Sequence, residues 1–350
     1  TLSTILYGCD AQLGGNYVIG GSAFPTIEDA INILQLCPPA SDVVLQIPSG
    51  NVSIGTTNFA NITQYFGNHT LTITSLAGDK DSTIITTTGA LQLGDVKNLI
   101  IKDLTFKQGA ASAYPIHFTG ACDNIEIANC YFDATWGTGS TYTSIYTTNG
   151  VKLTNINIHD NIFQGGYYGI RMYGSSTTNR NENITIANNQ FLNQYYYGTY
   201  LYYTNADIIK NVFHTRDSAS ASSTHYALYA YYSNINAIQN KMWNKRTSIS
   251  TYYGMYLYYV NQNEQNIDKY AKIINNEIFA RSSSTGATGL IYTGYSSLKM
   301  MYNSIYKQGT GNYAMYVIDA ATTRLYMKYN DIVAVGTTAT QKLRAYYASN

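Results

Sequence analysis

Charge is scarce in this chain. Only 12% of its 350 residues are Asp, Glu, Lys or Arg, and the formal net charge is +1. No basic run or stripe is present, so the electrostatic footprint of a nucleic-acid binder is missing. Stacking of single-stranded RNA on tyrosines would also need a positive groove, which the tyrosine-rich half lacks. Apolar runs are short, and none reaches the length of a membrane-spanning helix. The chain opens at Thr1 with neither Met nor an apolar leader and reads as a mature or trimmed product. Cysteine is limited to Cys9, Cys37, Cys122 and Cys130. None forms a CxxC pair and no His stands at zinc spacing, so neither a metal site nor a cofactor is expected. Three disulfide pairings are open. In one of them Cys9 and Cys37 staple the N-terminal segment, and Cys122 and Cys130 remain as buried small apolar residues. Low charge with abundant Asn, Thr, Ser, Tyr and Gly suits an extracellular or cell-surface location.

What the chain does have is repetition. An apolar strand leads to an Asn, and an apolar or aromatic residue follows two positions later. Copies read IEIANCYF at 125–132, INIHDNIF at 156–163, ITIANNQF at 184–191 and DIIKNVF at 207–213. They continue as AIQNKM at 237–242, IINNEI at 273–278, MMYNSI at 300–305 and MKYNDI at 327–332. The aligned position holds Asn161, Asn189, Asn211, Asn240, Asn276, Asn303 and Asn330, with Cys130 one turn earlier. The gaps run from 22 to 36 residues, too uneven for a helical repeat but tolerable in a β-solenoid that varies its loops. Asn accepts left-handed backbone in tight turns, and stacked amides bond along the axis.

A second column is a small residue followed by strict alternation: GIRMY at 169–173, GTYLY at 198–202, ALYAY at 227–231, GMYLY at 254–258, and weaker copies GLIYT at 289–293 and AMYVI at 314–318. Period two marks a strand with one buried face. Each turn therefore holds a strand, an Asn turn, a short strand, a loop and a third strand. No long helical stretch intervenes, which excludes βαβ units. The reading is all-β: a right-handed parallel β-helix of about ten rungs, roughly 50 Å long at ~4.8 Å per rung. Residues 51–350 form the solenoid. Residues 1–50 form an N-terminal cap with a first strand and an amphipathic helix at 26–34, N-capped by Thr26 with Glu28 and Asp29 in its first turn. Covering the first rung would hide an unpaired strand edge. The C-terminal KLRAYYASN shows no such cap, which leans toward assembly or a longer parent chain.

The strings NIxIxNNxF and GIxL, over roughly residues 85–335, resemble the pectin-lyase-like family of right-handed parallel β-helices. The segments YVIGGSAFPTIEDAINIL and VVLQIPSG, between residues 17 and 50, look like the N-terminal cap of surface β-helix proteins exported by Bacteroidetes-type bacteria. The family contains polysaccharide lyases, glycoside hydrolases, phage tailspikes, adhesins and structural surface proteins, so the fold leaves function open. The resemblance implies that any catalysis would sit on the sheet carrying the GIxL segments.

The outward positions of those segments can be read off. The first column is Gln92, His117, Arg171, Tyr200, Tyr229, Tyr256, Ile291 and Tyr316; the second is Gly94, Thr119, Tyr173, Tyr202, Tyr231, Tyr258, Thr293 and Ile318. Tyr167, Tyr168, Tyr196, Tyr197, Tyr226, Tyr252, Tyr253 and Tyr313 flank them. Of 36 tyrosines, 29 lie after residue 150, so the excess is regional. No outward position is acidic. Glycoside hydrolysis needs two carboxylates, and calcium-assisted elimination needs clustered carboxylate ligands. What remains is a metal-independent lyase acting on uronic-acid glycans through Arg171 with His117 or Tyr200. Arg171 is read first as a cation–π partner of Tyr173 or Tyr200. His214, Arg216 and Asp217 read as a solvated loop. The favoured function is non-catalytic: Tyr173, Tyr200, Tyr202, Tyr229, Tyr231, Tyr256, Tyr258 and Tyr316 bind a polysaccharide or a protein surface, another copy of the chain included. Tyr supplies flat apolar area with a hydroxyl at low entropic cost.

Overall fold

A computed structural model describes residues 13–37, 39–60, 62, 67–134, 138–216, 224–244, 251–282, 290–309, 313–318, 321–336 and 344–348. The chain winds as a right-handed parallel β-helix. Among the described residues it forms three parallel sheets of 12, 11 and 11 strands. Sheet A runs from Leu13–Val18 to Arg324–Lys328, sheet B from Gly50–Ile54 to Asp331–Val335, and sheet C from Thr57–Asn58 to Arg344–Ala348. Successive copies of a repeat are hydrogen-bonded neighbours, as Ile125, Ile156 and Ile184 are in sheet A. Uneven gaps are absorbed in loops while strands keep their register, apart from irregularities between Asn181 and Ile184 and between Leu13 and Gly15 in sheet A.

Alternation sets the core. Ile170 and Met172, Leu228 and Ala230, and Met255 and Leu257 are fully buried, while the residues between them face outward. From sheet B, Phe106, Phe132, Phe163, Phe191 and Phe213 stack along the axis at centroid spacings of 5.3, 4.9, 4.9 and 4.6 Å. Each buried ring contributes about 1.5–3 kcal/mol.

That stack explains Gly169 and Gly198 in sheet C, whose missing side chains leave room for Phe191 and Phe213. A Cβ on Gly198 would lie 2.5 Å from the Ala227 carbonyl oxygen and 2.6 Å from Phe213 Cδ1. Neither backbone nor packed ring can yield. Gly198→Ala is therefore expected to cost about 1–3 kcal/mol by overpacking, read as a lower urea midpoint. A midpoint equal to wild type would show that the Phe column is looser than its stacking implies.

The Asn column lies inside the corner between sheets A and B. Asn189 is representative. Its Oδ1 accepts from Asn161 N (2.9 Å) and Asn161 Nδ2 (3.0 Å), while its Nδ2 donates to Ile158 O (2.8 Å) and Asn211 Oδ1 (3.0 Å). The pattern repeats through Asn211, Asn240, Asn276 and Asn303 to Asn330, and Cys130 N donates to Asn161 Oδ1 at the upper end. These residues do not adopt the left-handed backbone that their type suggests. The residue before each one does: Asn129, Asp160, Asn188, Lys210, Gln239, Asn275, Tyr302 and Tyr329 have φ between +48° and +59°. The column Asn is kept for its two-donor, two-acceptor amide, which satisfies turn backbone that would otherwise be buried unpaired.

The helix spans Ile27–Leu36 and buries Ile27, Ala30, Ile31 and Leu34. Thr26 caps it, its hydroxyl accepting from Asp29 N at 3.0 Å. Gln35 Nε2 donates to Asn58 O and Ala60 O, and the Thr57 hydroxyl donates to Glu28, so the helix satisfies polar groups beside the first sheet-C strand. Cys37 is disulfide-bonded, whereas Cys9 lies outside the described residues. Cys122 and Cys130 are free and buried, and burial pushes both thiols up to about 12, which leaves them inert.

Candidate functional site: the tyrosine face

The outward surface of sheet C is built from parallel columns of tyrosine. The central one runs Tyr200, Tyr229, Tyr256, Tyr292 and Tyr316, with centroid spacings of 4.8, 4.8, 4.8 and 5.4 Å and planes within 10° of parallel. On one side, Tyr173, Tyr202, Tyr231 and Tyr258 stack at 4.5, 5.1 and 5.7 Å. On the other, Tyr168, Tyr197, Tyr226 and Tyr253 stack at 4.9, 5.0 and 4.7 Å. The cause is parallel in-register pairing: Tyr200 lies opposite Tyr229, and Tyr229 opposite Tyr256, so identical side chains superpose at the rung spacing.

The register corrects three readings. Ile291 is buried, and Tyr292 pairs with Tyr256 in the central column. Thr293 is also buried, and Gly294 takes the place beside Tyr258, where a Cβ would strike Tyr258 Cε2 at 2.6 Å. Tyr252 points inward, 3% exposed, and stacks on buried His225 at 5.8 Å.

Two sets of tyrosines carry no readable sequence signal. Tyr146 belongs to a strand, Thr143–Thr147, that departs from the GIxL pattern; it stands between His117 and Arg171. Tyr203, Tyr232, Tyr259 and Tyr295 form a further stacked column at 5.6, 4.3 and 4.7 Å along the turn from sheet C to sheet A. All four have φ between +48° and +55°. A bulky residue there costs about 1–2 kcal/mol, and at an equivalent turn the chain uses Asp95. Stacked and edge-to-face ring contacts, worth about 0.5–1.5 kcal/mol each, offset that cost.

Stacking also decides what solvent meets. With planes parallel and rungs about 4.8 Å apart, ring faces point along the axis and cover one another. The surface shows ring edges and hydroxyls in rows, not the flat apolar area suggested by tyrosine content. Every column member is half-buried by its neighbours. Burial pushes the hydroxyls of Tyr200 and Tyr253 up to about 12 and raises Tyr197, Tyr226, Tyr229 and Tyr256 as well. These hydroxyls stay uncharged at any physiological pH.

Arg171 closes the upper end of the central column. Its guanidinium lies 4.7 Å from the Tyr146 ring, 5.3 Å from Tyr173 and 5.9 Å from Tyr200. It donates to Thr147 O at 2.8 Å and Asn149 Oδ1 at 2.7 Å. His117 sits two rungs away, edge-on to Tyr114 and Tyr146, with Nε2 2.9 Å from the Thr148 hydroxyl. Its pKa is lowered by burial. Tyr146 fills the space between the two, and Tyr200 is shifted away from the phenolate that a tyrosine base requires. Arg216, read from sequence as solvated, is buried, 5.5 Å from the Tyr195 ring, and donates to Asn193 O; Asp217 lies outside the described residues. Among the described residues no group of three His, Cys, Asp or Glu is placed to hold a metal ion, and no helix is long and apolar enough to cross a membrane.

No family model matches the chain, and a search of curated proteins finds no match. Solved structures do match. Two structures of the Streptococcus pneumoniae surface adhesin PfbA align with a TM-score of 0.52 at 14% and 16% identity, each covering 92% of this chain and 95% and 89% of the adhesin. The A-module of the Azotobacter vinelandii mannuronan C-5 epimerase AlgE6 aligns at a TM-score of 0.45 and 10% identity, covering 93% of this chain and 94% of the module. The likeness to the adhesin shows the fold alone, a right-handed parallel β-helix.

Proposed function

We propose that the protein is a non-catalytic, extracellular surface-binding β-helix whose tyrosine face docks a protein surface, a second copy of this chain being the partner it fits best. The observation that carries this reading is the set of stacked columns: uncharged hydroxyl rows at one fixed interval across at least four rungs. The rings are already immobilised by their neighbours, so little side-chain entropy remains to be lost on docking. A second solenoid repeats at the same spacing of about 4.8 Å, so its rows would stay in step with these over the whole face. Sugar stacking needs ring faces, and here those faces are taken. The fold is shared with a surface adhesin, which suits a docking role outside the cell.

The test is sedimentation velocity from about 1 to 200 μM, spanning weak interface affinities. Wild type is expected to self-associate, and the Tyr200→Ser, Tyr229→Ser, Tyr256→Ser triple variant to stay monomeric. Monomeric wild type whose retention in glycan-loaded gels is lost in the triple variant would transfer the face to a polysaccharide. Uronic-acid polymer cleavage that disappears with Arg171→Ala would make it an enzyme.

A further inference from the structure

A second aromatic feature lies away from sheet C, at the corner between sheets A and B. Tyr302 and Tyr329 stand in consecutive left-handed turns, φ +58° and +56°, and stack at 5.2 Å. They are 54% and 69% exposed, more than any tyrosine of the sheet-C columns. The same turn position holds Lys210, Gln239 and Asn275 in the three rungs above. The stack therefore begins at Tyr302, and among the described residues no ring covers the face it turns toward Asn275. A cavity of about 480 Å³ opens beside it, lined by Gln239, Lys241, Asn275, Glu277, Ser304 and Tyr302.

The composition of that cavity is specific. It joins an exposed aromatic ring to the outward amides of Gln239 and Asn275, a hydroxyl, a carboxylate and an ammonium, while the amides of Asn240 and Asn276, also in the lining, are spent on the Asn column. Amides and hydroxyl both donate and accept, the carboxylate only accepts and the ammonium only donates. The two charges cancel, so neither an anion nor a cation is favoured. The volume lies within the range of small-molecule sites. Backbone cost points the same way. A left-handed tyrosine costs about 1–2 kcal/mol. In the sheet-C turn column each such ring has stacked and edge-to-face partners, whereas Tyr302 has only one ring partner among the described residues.

We propose that this corner is a binding site for an uncharged hexopyranose unit, its C–H face on the Tyr302 ring and its hydroxyls on Gln239, Asn275, Glu277 and Lys241. The site is independent of the tyrosine face, which lies on another sheet. An apolar ring face beside converging donors and acceptors is what a pyranose presents in complement.

The probes are methyl β-glucopyranoside, methyl β-galactopyranoside and methyl β-N-acetylglucosaminide, followed by saturation-transfer NMR up to about 50 mM, since a single-unit site binds in the millimolar range. Wild type is expected to saturate the ring protons of at least one glycoside. Tyr302→Asn removes the ring yet suits left-handed backbone, so melting is unchanged or raised while binding falls about tenfold or more. Tyr200→Ser leaves binding intact, which separates this site from the face on sheet C. Absence of transfer to all three glycosides in wild type, or equal binding by Tyr302→Asn, overturns the proposal.

Discussion

Replacing Asn211 by Ala is expected to lower the melting temperature by about 4–7 °C, from a loss of about 3–5 kcal/mol. Asn211 stands in mid-column, fully buried. Its Oδ1 accepts from Asn189 N and Asn189 Nδ2, and its Nδ2 donates to Ile186 O and Asn240 Oδ1. Truncation takes the amide partner from Asn189 N and Ile186 O where water has no access, and removes one of two partners from Asn189 Nδ2, which keeps Ile158 O, and from Asn240 Oδ1, which keeps Asn211 N. Each unsatisfied buried group costs about 1–3 kcal/mol. Local relaxation and the small cavity bring the sum to the range given. The temperature shift follows from an unfolding entropy of about 2.1 cal/mol/K per residue over the chain. Asn330→Ala is the control: Asn330 is only part-buried, and its loss strands fewer groups in a wetter place, so the shift should be under half as large. Asn211→Asp is expected to be worse than Ala at neutral pH, because a carboxylate cannot donate to Ile186 O or Asn240 Oδ1 and is buried besides. Burial raises the introduced carboxyl's pKa, so that defect should ease as pH falls and the group protonates. A shift below about 1 °C for Asn211→Ala would mean that the turns hold without their amides.

The column that this prediction relies on was legible in the sequence, because an Asn two residues before an apolar anchor is a local signature that loop length does not disturb. Its backbone reason was not legible: the left-handed residue is the preceding one, and Lys210, Gln239 and Tyr302 at that place have no common chemistry. Sheet C was readable wherever a small residue opened the strand. At Leu290 the chain substitutes a large one, and counting from Gly289 moved Ile291 and Thr293 outward by one place. With a side-chain period of two, that slip exchanges core and surface. Tyr146 escaped because its strand, Thr143–Thr147, opens on Thr and carries Ser144 inside. The left-handed tyrosines escaped because propensity argues against them. Which way the rings face is a property of register between turns, and no single turn contains it.

Ring orientation has an alkaline consequence. A free tyrosine ionises near ~10. Burial pushes Tyr200, Tyr253 and Tyr167 up to about 12, so between those values the folded chain keeps protons that the unfolded chain releases. Stability from these hydroxyls is complete below pH ~10 and drains away as pH rises toward ~12. Neighbouring phenolates add repulsion, about 3.5 kcal/mol per pair at the rung spacing for an effective dielectric of ~20, before screening by salt. Ionisation of one ring therefore makes its neighbours harder to ionise while folded and drives the chain apart. Absorbance at 295 nm is expected to rise in two stages. The first stage lies near ~10, where an unburied phenol ionises. Tyr197, Tyr200, Tyr226, Tyr229, Tyr253 and Tyr256, all raised by burial, follow in a steep step that coincides with loss of the β signal in far-ultraviolet circular dichroism. Changing Tyr200, Tyr229 and Tyr256 to Phe keeps the stack but removes three ionisable groups, so the steep step should shrink and move to higher pH. A single smooth transition near ~10 with the β signal intact would mean that the rings stand apart in water. The docking face would then lack the rigid, prestacked rows on which its low entropic cost depends.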